Sequence, residues 1–201
     1  MKVIGLTGGI ASGKSSISKI FEKLGAYIID ADKLAHQIYD EDSKLVQKII
    51  ELFGKDILIP STFIIDRDKL GEIVFKNHEK LKQLETLIHP AVRKKILYEI
   101  HEAGEKSYKL CIVDAALLVE TGFYKFYDGL MVVKCSPEQQ KERLKARNEL
   151  NDKEIQNRIN SQSPLEEKIK VSNWIIDNSH SLEETQKQVE KIYKELVMMR
   201  S

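Results

Sequence analysis

Residues 8–15 read Gly8-Gly9-Ile10-Ala11-Ser12-Gly13-Lys14-Ser15 and match the phosphate-binding pattern G-x-x-x-x-G-K-[ST] at every fixed position. Each residue type has a task there. The glycines let the backbone curl, so that peptide N–H groups along the loop, through to Ser16, point at phosphate oxygens, and the N-terminus of the following helix adds a favourable dipole. Lys14 would reach the β- and γ-phosphates, and the Ser15 hydroxyl would be a ligand for Mg²⁺. The chain has no Asn-Lys-x-Asp guanine-reading tetrapeptide, so ATP is the expected nucleotide.

Carboxylates at two further places could complete a phosphoryl-transfer site. Asp30-Ala31-Asp32 follows the second of the apolar runs described below. One of these aspartates is expected to cap a helix starting near Lys33. The other is a candidate to orient an acceptor hydroxyl and take its proton. Neighbouring strands lie about 5 Å apart, so strand ends one or two places from the loop fall within ~10 Å of it. Asp114 ends the run Leu110-Cys111-Ile112-Val113 and would either hold Mg²⁺ or serve only as a polar strand exit.

The elements that must position these residues are legible from periodicity. Val3–Leu6, Tyr27–Ile29, Leu110–Val113, Leu130–Val133 and Trp174–Ile176 are short, rich in β-branched residues and without apolar/polar alternation. That pattern belongs to strands buried on both faces of a parallel sheet. Ile17, Ile20, Phe21 and Leu24 trace a helix that Gly25 ends. Ser136-Pro137-Glu138-Gln139 predicts a helix start with a capping box. Ser181-Leu182-Glu183-Glu184 predicts another, with Leu182, Val189, Ile192 and Leu196 on its buried face.

About eighty residues separate the second run from the third, far more than one crossover helix needs. This insert reads as mostly helical over Leu45–Phe53 and Leu81–Ile100, with a hairpin near Ile57–Ile65 around Pro60-Ser61. His89, ahead of Pro90, is expected to be extended at a helix break, where it could face a ligand or hydrogen-bond at the boundary. A second insert, Lys141–Lys170, is almost wholly polar and carries Arg143, Arg147, Arg158 and Lys168. No linker composition sets either insert apart, so one folding unit is expected.

Composition narrows the function classes. Among 201 residues, 32 are Lys or Arg and 31 Asp or Glu, a net charge of +1 that argues against nucleic-acid binding through bulk charge. No apolar run approaches the ~18 residues of a membrane helix, and the first residues open directly into a strand pattern. A soluble cytoplasmic protein with small-molecule partners is therefore expected, monomeric for want of any oligomerisation signal. Cys111 and Cys135 sit in apolar runs as reduced thiols, and His78, His101 and His180 lack metal-ligand spacing. Three functions fit the residues alone: a small-alcohol kinase, a nucleoside monophosphate kinase, and a slow nucleotide switch.

Further strings narrow the choice. Gly5-Leu6-Thr7-Gly8-Gly9-Ile10, Asp30-Ala31-Asp32-Lys33-Leu34-Ala35-His36, Asp66-Arg67, Val74-Phe75, Leu84-Glu85-Thr86-Leu87-Ile88-His89-Pro90 and Leu117-Leu118-Val119-Glu120 stand in order along the chain. With Arg143, Arg147, Gln162 and Trp174-Ile175-Ile176-Asp177-Asn178 they resemble the dephospho-coenzyme A kinase family, from about Val3 to Val189. The resemblance implies ATP-dependent phosphorylation of the ribose 3′-hydroxyl of dephospho-coenzyme A. It also implies a P-loop kinase fold of the α/β class: a parallel five-stranded sheet flanked by helices, a helical substrate-binding insert and a small helical lid. On this chain the core would be residues 1–32, 109–140 and 171–201, the acceptor insert 33–108 and the lid 141–170.

The resemblance makes Asp32 the catalytic carboxylate and sets Arg143 and Arg147 over the phosphates. It lines the acceptor site with His89, Leu117 and Leu118. The chain departs from the family's usual residues at Ala116 (Pro), Asn148 (Asp) and His36 (Arg).

Overall fold

The computed structural model describes residues 1–148 and 151–198, apart from the side chains of residues 40, 41, 147 and 148. Strands β1 (Lys2–Gly8), β2 (Tyr27–Asp30), β3 (Leu110–Asp114), β4 (Gly129–Lys134) and β5 (Trp174–Asp177) form one parallel sheet in the order β2-β3-β1-β4-β5. Each apolar run is a strand. Every strand runs on past the apolar pattern at its carboxyl end, where Asp30 pairs with Asp114 and Lys134 with Asp177 in the ladder. From β1 the chain passes to β2 on one side, returns through β3, and crosses to β4 on the other. Reversals of this kind open a crevice at the carboxyl edge of a parallel sheet.

Helices α1 (Lys14–Lys23) and α9 (Leu182–Met198) cover one face. Ile17 and Phe21 from α1, and Val189, Ile192 and Leu196 from α9, close a core over Ile4, Leu6, Ile112 and Val133. Removal of these apolar side chains from water is the main force holding the layers together. The capping box of α9 forms in full: Glu184 N–H donates to Ser181 Oγ and the Glu184 carboxylate accepts from Ser181 N–H. Leu182 corrects the expected apolar face. It is 68% exposed, and buried Thr185 takes the first inward position instead.

The chain divides into two compact units, one of residues Met1–Asp30 with Ile100–Ser201, the other of Ala31–Glu99. No linker composition marks either boundary in the sequence. The second boundary falls inside the continuous helix α5 (His78–Glu105).

The second unit holds α2 (Ala31–Glu41), α3 (Ser43–Phe53), α4 (Arg67–Phe75) and most of α5. Three details differ from the sequence expectation. α2 starts at Ala31, so Asp32 lies in its first turn and not ahead of a helix near Lys33. α5 runs through Pro90 without a break, so His89 is helical and half-buried, not extended. A proline removes one N–H from the ladder, and the buried Leu84, Val92 and Ile96 continue the apolar face on both sides of it. The hairpin around Ser61 is reduced to a single bridge between Leu58 and Ile65, with Ser61 at φ 63°.

The polar insert folds in the first unit as α6 (Pro137–Asn148), α7 (Asp152–Asn160) and α8 (Leu165–Lys170). Among its described residues the buried side chains are Leu144, Ile155 and Lys168. At the start of α6, Ser136 Oγ accepts from Gln139 N–H as expected, but the Gln139 side chain donates to Ser179 O and no capping box closes.

Candidate active site

The phosphate loop leaves the end of β1 and enters α1, the setting its motif requires. Gly8 has no room for a side chain, since a methyl group there would collide with the Val133 carbonyl of β4. Gly13 sits at φ +96° as the residue before α1, and Ala11 is left-handed at φ 57°. These turns reverse successive peptides, as a cradle of inward N–H groups demands.

Three side chains hold the loop from outside by its carbonyl oxygens. Gln140 Nε2 donates to Ile10 O at 2.7 Å, Asn178 Nδ2 to Ser12 O at 2.8 Å, and Arg143 Nη1 to Ser12 O at 3.2 Å. A carbonyl anchored outward turns its peptide plane so that the adjoining N–H groups face the cradle. Arg143 also donates to Asn178 O at 3.2 Å, and buried Thr185 donates to Asn178 Oδ1, which fixes the orientation of that amide. The structure thus brings Arg143 onto the loop itself. The side chain of Arg147 lies outside the described residues, as does that of Asn148.

Lys14 and Asp114 meet directly, Nζ to Oδ1 at 3.0 Å, and Ser18 Oγ donates to Asp114 Oδ2 at 2.6 Å. Their meeting follows from register: Leu6 of β1 pairs with Asp114 of β3, and Asp114 in turn with Asp30 of β2. Leu6, Asp114 and Asp30 are therefore level across the three strands, two strand spacings or about 10 Å, and β1 runs two residues further to Gly8. Asp32 follows Asp30 by two residues and is exposed. Ser15 and Ser16 are exposed on the first turn of α1, whereas Ser12 Oγ is buried and finds no hydrogen-bond partner among the described residues.

The two leucines expected at the acceptor site part company. Leu118 is 2% exposed and its Cδ1 lies 2.9 Å from where a Cβ on Gly5 would stand, so it belongs to the core, while Leu117 is 41% exposed. His89 belongs to the second unit. In that unit Arg67 Nη1 donates to His36 Nδ1 at 2.8 Å, and a groove of about 810 Å³ is lined by Tyr39, Val46, Ile50, Phe63 and Ile64. A smaller cavity of about 90 Å³ in the first unit borders the loop at Gly9 and Ser12, opposite Gln162, Ser163 and Leu165.

Electrostatics at the end of β5 serve the same loop. Burial works to raise the Asp177 carboxyl, but hydrogen bonds from Ser179 and the Lys134 ammonium outweigh it and hold the group at about 2. Gln188 of α9 grips both backbone groups of Asp177, which sets the following Asn178 in place. Burial pushes the Cys135 thiol up, against the opposing pull of Arg143.

Gln140, Thr185 and Gln188 escaped the sequence reading. Gln140 had a visible signal, because it stands three residues before Arg143 and so on the same helical face. The other two act through contacts that no local pattern encodes.

A parallel sheet in this order, with a phosphate loop leaving its central strand, defines the P-loop kinase class of α/β proteins. A family model described as dephospho-CoA kinase matches residues 2–184. The dephospho-CoA kinase of Aquifex aeolicus is 45% identical over 196 residues, 98% of this chain and 98% of that protein. Among solved structures, TT1252 from Thermus thermophilus superposes with a TM-score of 0.84 at 29% identity, covering 97% of each chain. A dephospho-CoA kinase from Campylobacter jejuni superposes with a TM-score of 0.73 at 33% identity, covering 97% of this chain and 96% of that one. The chain belongs to the dephospho-CoA kinase family.

Proposed function

We propose that this protein transfers the γ-phosphoryl group of ATP to the ribose 3′-hydroxyl of dephospho-coenzyme A, giving coenzyme A and ADP, the last step of coenzyme A synthesis. One observation carries the proposal: the family match spans residues 2–184, and within it the phosphate loop is complete and seated between β1 and α1.

The chemistry is mainly positioning and charge neutralisation. The loop amides from Gly8 to Ser16 and the Lys14 ammonium hold the donor phosphates, Lys14 exchanging Asp114 for phosphate oxygens. Asp32 orients the 3′-hydroxyl and accepts its proton as the O3′–Pγ bond forms and the bond from Pγ to the ADP oxygen breaks. The first turn of α2, directly beyond the carboxyl end of β2, is where such a base belongs in this sheet. Arg143 and Arg147 add positive charge on the lid, residues 141–170. Residues 33–108 recognise the acceptor through His89, with the exposed Leu117 contributing from the core of residues 1–32, 109–140 and 171–201, where the buried Leu118 only backs it.

The donor set suits Mg²⁺. It comprises one hydroxyl, Ser15, and one carboxylate, Asp114, and no cluster of three His, Cys, Asp or Glu able to hold a metal occurs among the described residues. Mg²⁺ is commonly bound by such a sparse set together with the phosphates, and when bound it supplies charge neutralisation of the β- and γ-oxygens.

The proposal takes the enzyme to be cytoplasmic; no helix among the described residues is long and apolar enough to cross a membrane. A monomer working on small molecules, without nucleic acid or membrane, completes the proposal. The test is mass spectrometry of dephospho-coenzyme A incubated with MgATP and the protein. A gain of one phosphate on the acceptor, matched by ADP and with little inorganic phosphate, is expected. Transfer only to nucleoside monophosphates, or release of phosphate to water alone, would overturn it.

A further inference from the structure

Lys168 of the polar insert is enclosed completely, with its side chain 0% exposed, and is the one lysine in the buried set among the described residues. An ammonium group taken out of water needs a counter-charge and hydrogen-bond acceptors. Lys168 has both. Its Nζ lies 2.8 Å from Glu120 Oε1 and donates to the Ala116 carbonyl at 3.1 Å. Each acceptor is shared. Ala116 O also accepts from the buried Thr7 hydroxyl at 2.9 Å, and Glu120 Oε1 also accepts from Ser163 N–H at 3.0 Å.

The set links three pieces of chain. Thr7 is the residue before the first glycine of the phosphate loop. Residues 116–120 follow Asp114 and carry the exposed Leu117, and residues 163–165, just ahead of Lys168, line the small cavity together with Gly9 and Ser12. A buried ion pair is weak support for stability, because its desolvation cost offsets most of its attraction. What it does supply is geometry, since one ammonium sets the distance between all its acceptors.

We propose that Lys168 is a positioning residue, its ammonium fixing segments 116–120 and 163–168 together against the strand that launches the phosphate loop, so that the two walls of the site are set in one register. The functional arm of this inference rests on the kinase reading above; the structural arm does not. The phosphate loop has its own braces in Gln140, Arg143 and Asn178, so loss of Lys168 disturbs the walls and spares the cradle.

The experiment compares wild type with Lys168→Met, Glu120→Gln and Lys168→Met/Glu120→Gln. Amide hydrogen exchange, ATP titration, thermal unfolding and kinetics against dephospho-coenzyme A are measured on each. Lys168→Met is expected to speed exchange over residues 115–122 and not over 8–16. It should lower kcat/KM for the acceptor about 10- to 100-fold while ATP affinity stays within about twofold. The double variant, with no charge left unpaired, should regain thermal stability but not turnover. Glu120→Gln, which keeps the lysine in place, should show the same pattern more weakly and serves if Lys168→Met does not fold. Unchanged exchange at 115–122, or a double variant that recovers turnover along with stability, overturns the inference. A wild-type protein that leaves dephospho-coenzyme A unmodified defeats the substrate reading instead, and the exchange comparison still decides the role of Lys168.

Discussion

Asn178 holds the Ser12 carbonyl at 2.8 Å across a separation of 166 residues, joining the end of the last strand to the middle of the phosphate loop. Thr185 donates to the oxygen of the same amide and so keeps its nitrogen turned towards Ser12. Substituting Asn178 by Ala removes one such bond, worth about 1 kcal/mol, and should weaken ATP binding roughly fivefold. Asn178→Asp should be worse, since it sets a carboxylate against a carbonyl. Calorimetric titration with ATP checks both, and equal affinities in all three proteins would remove the role given to this brace.

The Lys14–Asp114 pair makes a separate prediction. Asp114→Asn keeps the shape and the Ser18 contact but loses the charge that the proposal assigns to Mg²⁺. Turnover should fall about 100-fold, and the Mg²⁺ concentration needed for half-maximal rate should rise. A Mg²⁺ titration of the steady-state rate reads this directly; an unshifted midpoint assigns Asp114 to holding Lys14 alone.

Asp32→Ala should lower kcat by about 10²- to 10⁴-fold with ATP affinity unchanged, as befits a group that acts on the acceptor. The comparison is between single-turnover rates and nucleotide titrations of the two proteins. Equal turnover would sink the assignment.

Asp177 supplies a pH signature. Its carboxyl is held at about 2 in the folded chain, below the ordinary value of about 3.9 that it regains on unfolding. The stability it contributes is therefore complete above the unfolded value and drains away as pH falls towards 2. Asp177→Asn should destabilise the protein at pH 6, and the gap from wild type should narrow by pH 3. Denaturant melts at the two pH values measure it, and a gap that does not change would assign the cost to packing.

Much of the fold was legible because the relevant physics is local. Doubly buried strands show as unbroken β-branched runs, and the box of Ser181 and Glu184 is written within one helical turn. The phosphate loop is likewise a contiguous string whose glycines suit turns that few other residues tolerate. Lys14 and Asp114 could be named as candidates for the same reason, one inside a motif and the other at the end of a run, whereas local pattern left Asp30 and Asp32 open and only the family resemblance chose Asp32.

What only the tertiary structure decided depends on contacts between residues far apart in sequence. Strand order and register put Asp114 beside Lys14. The three carbonyl braces come from α6 and the end of β5. Of two adjacent leucines, the cavity over Gly5 took Leu118 and left Leu117 outside. α5 passed through Pro90 because packing on both sides outweighed one lost hydrogen bond. Lys168 lies in the almost wholly polar insert, yet it is buried against Glu120 and the Ala116 carbonyl. A sequence pattern reports what a residue prefers next to its neighbours, whereas burial and ion pairing are set by which distant groups the packed sheet brings within reach.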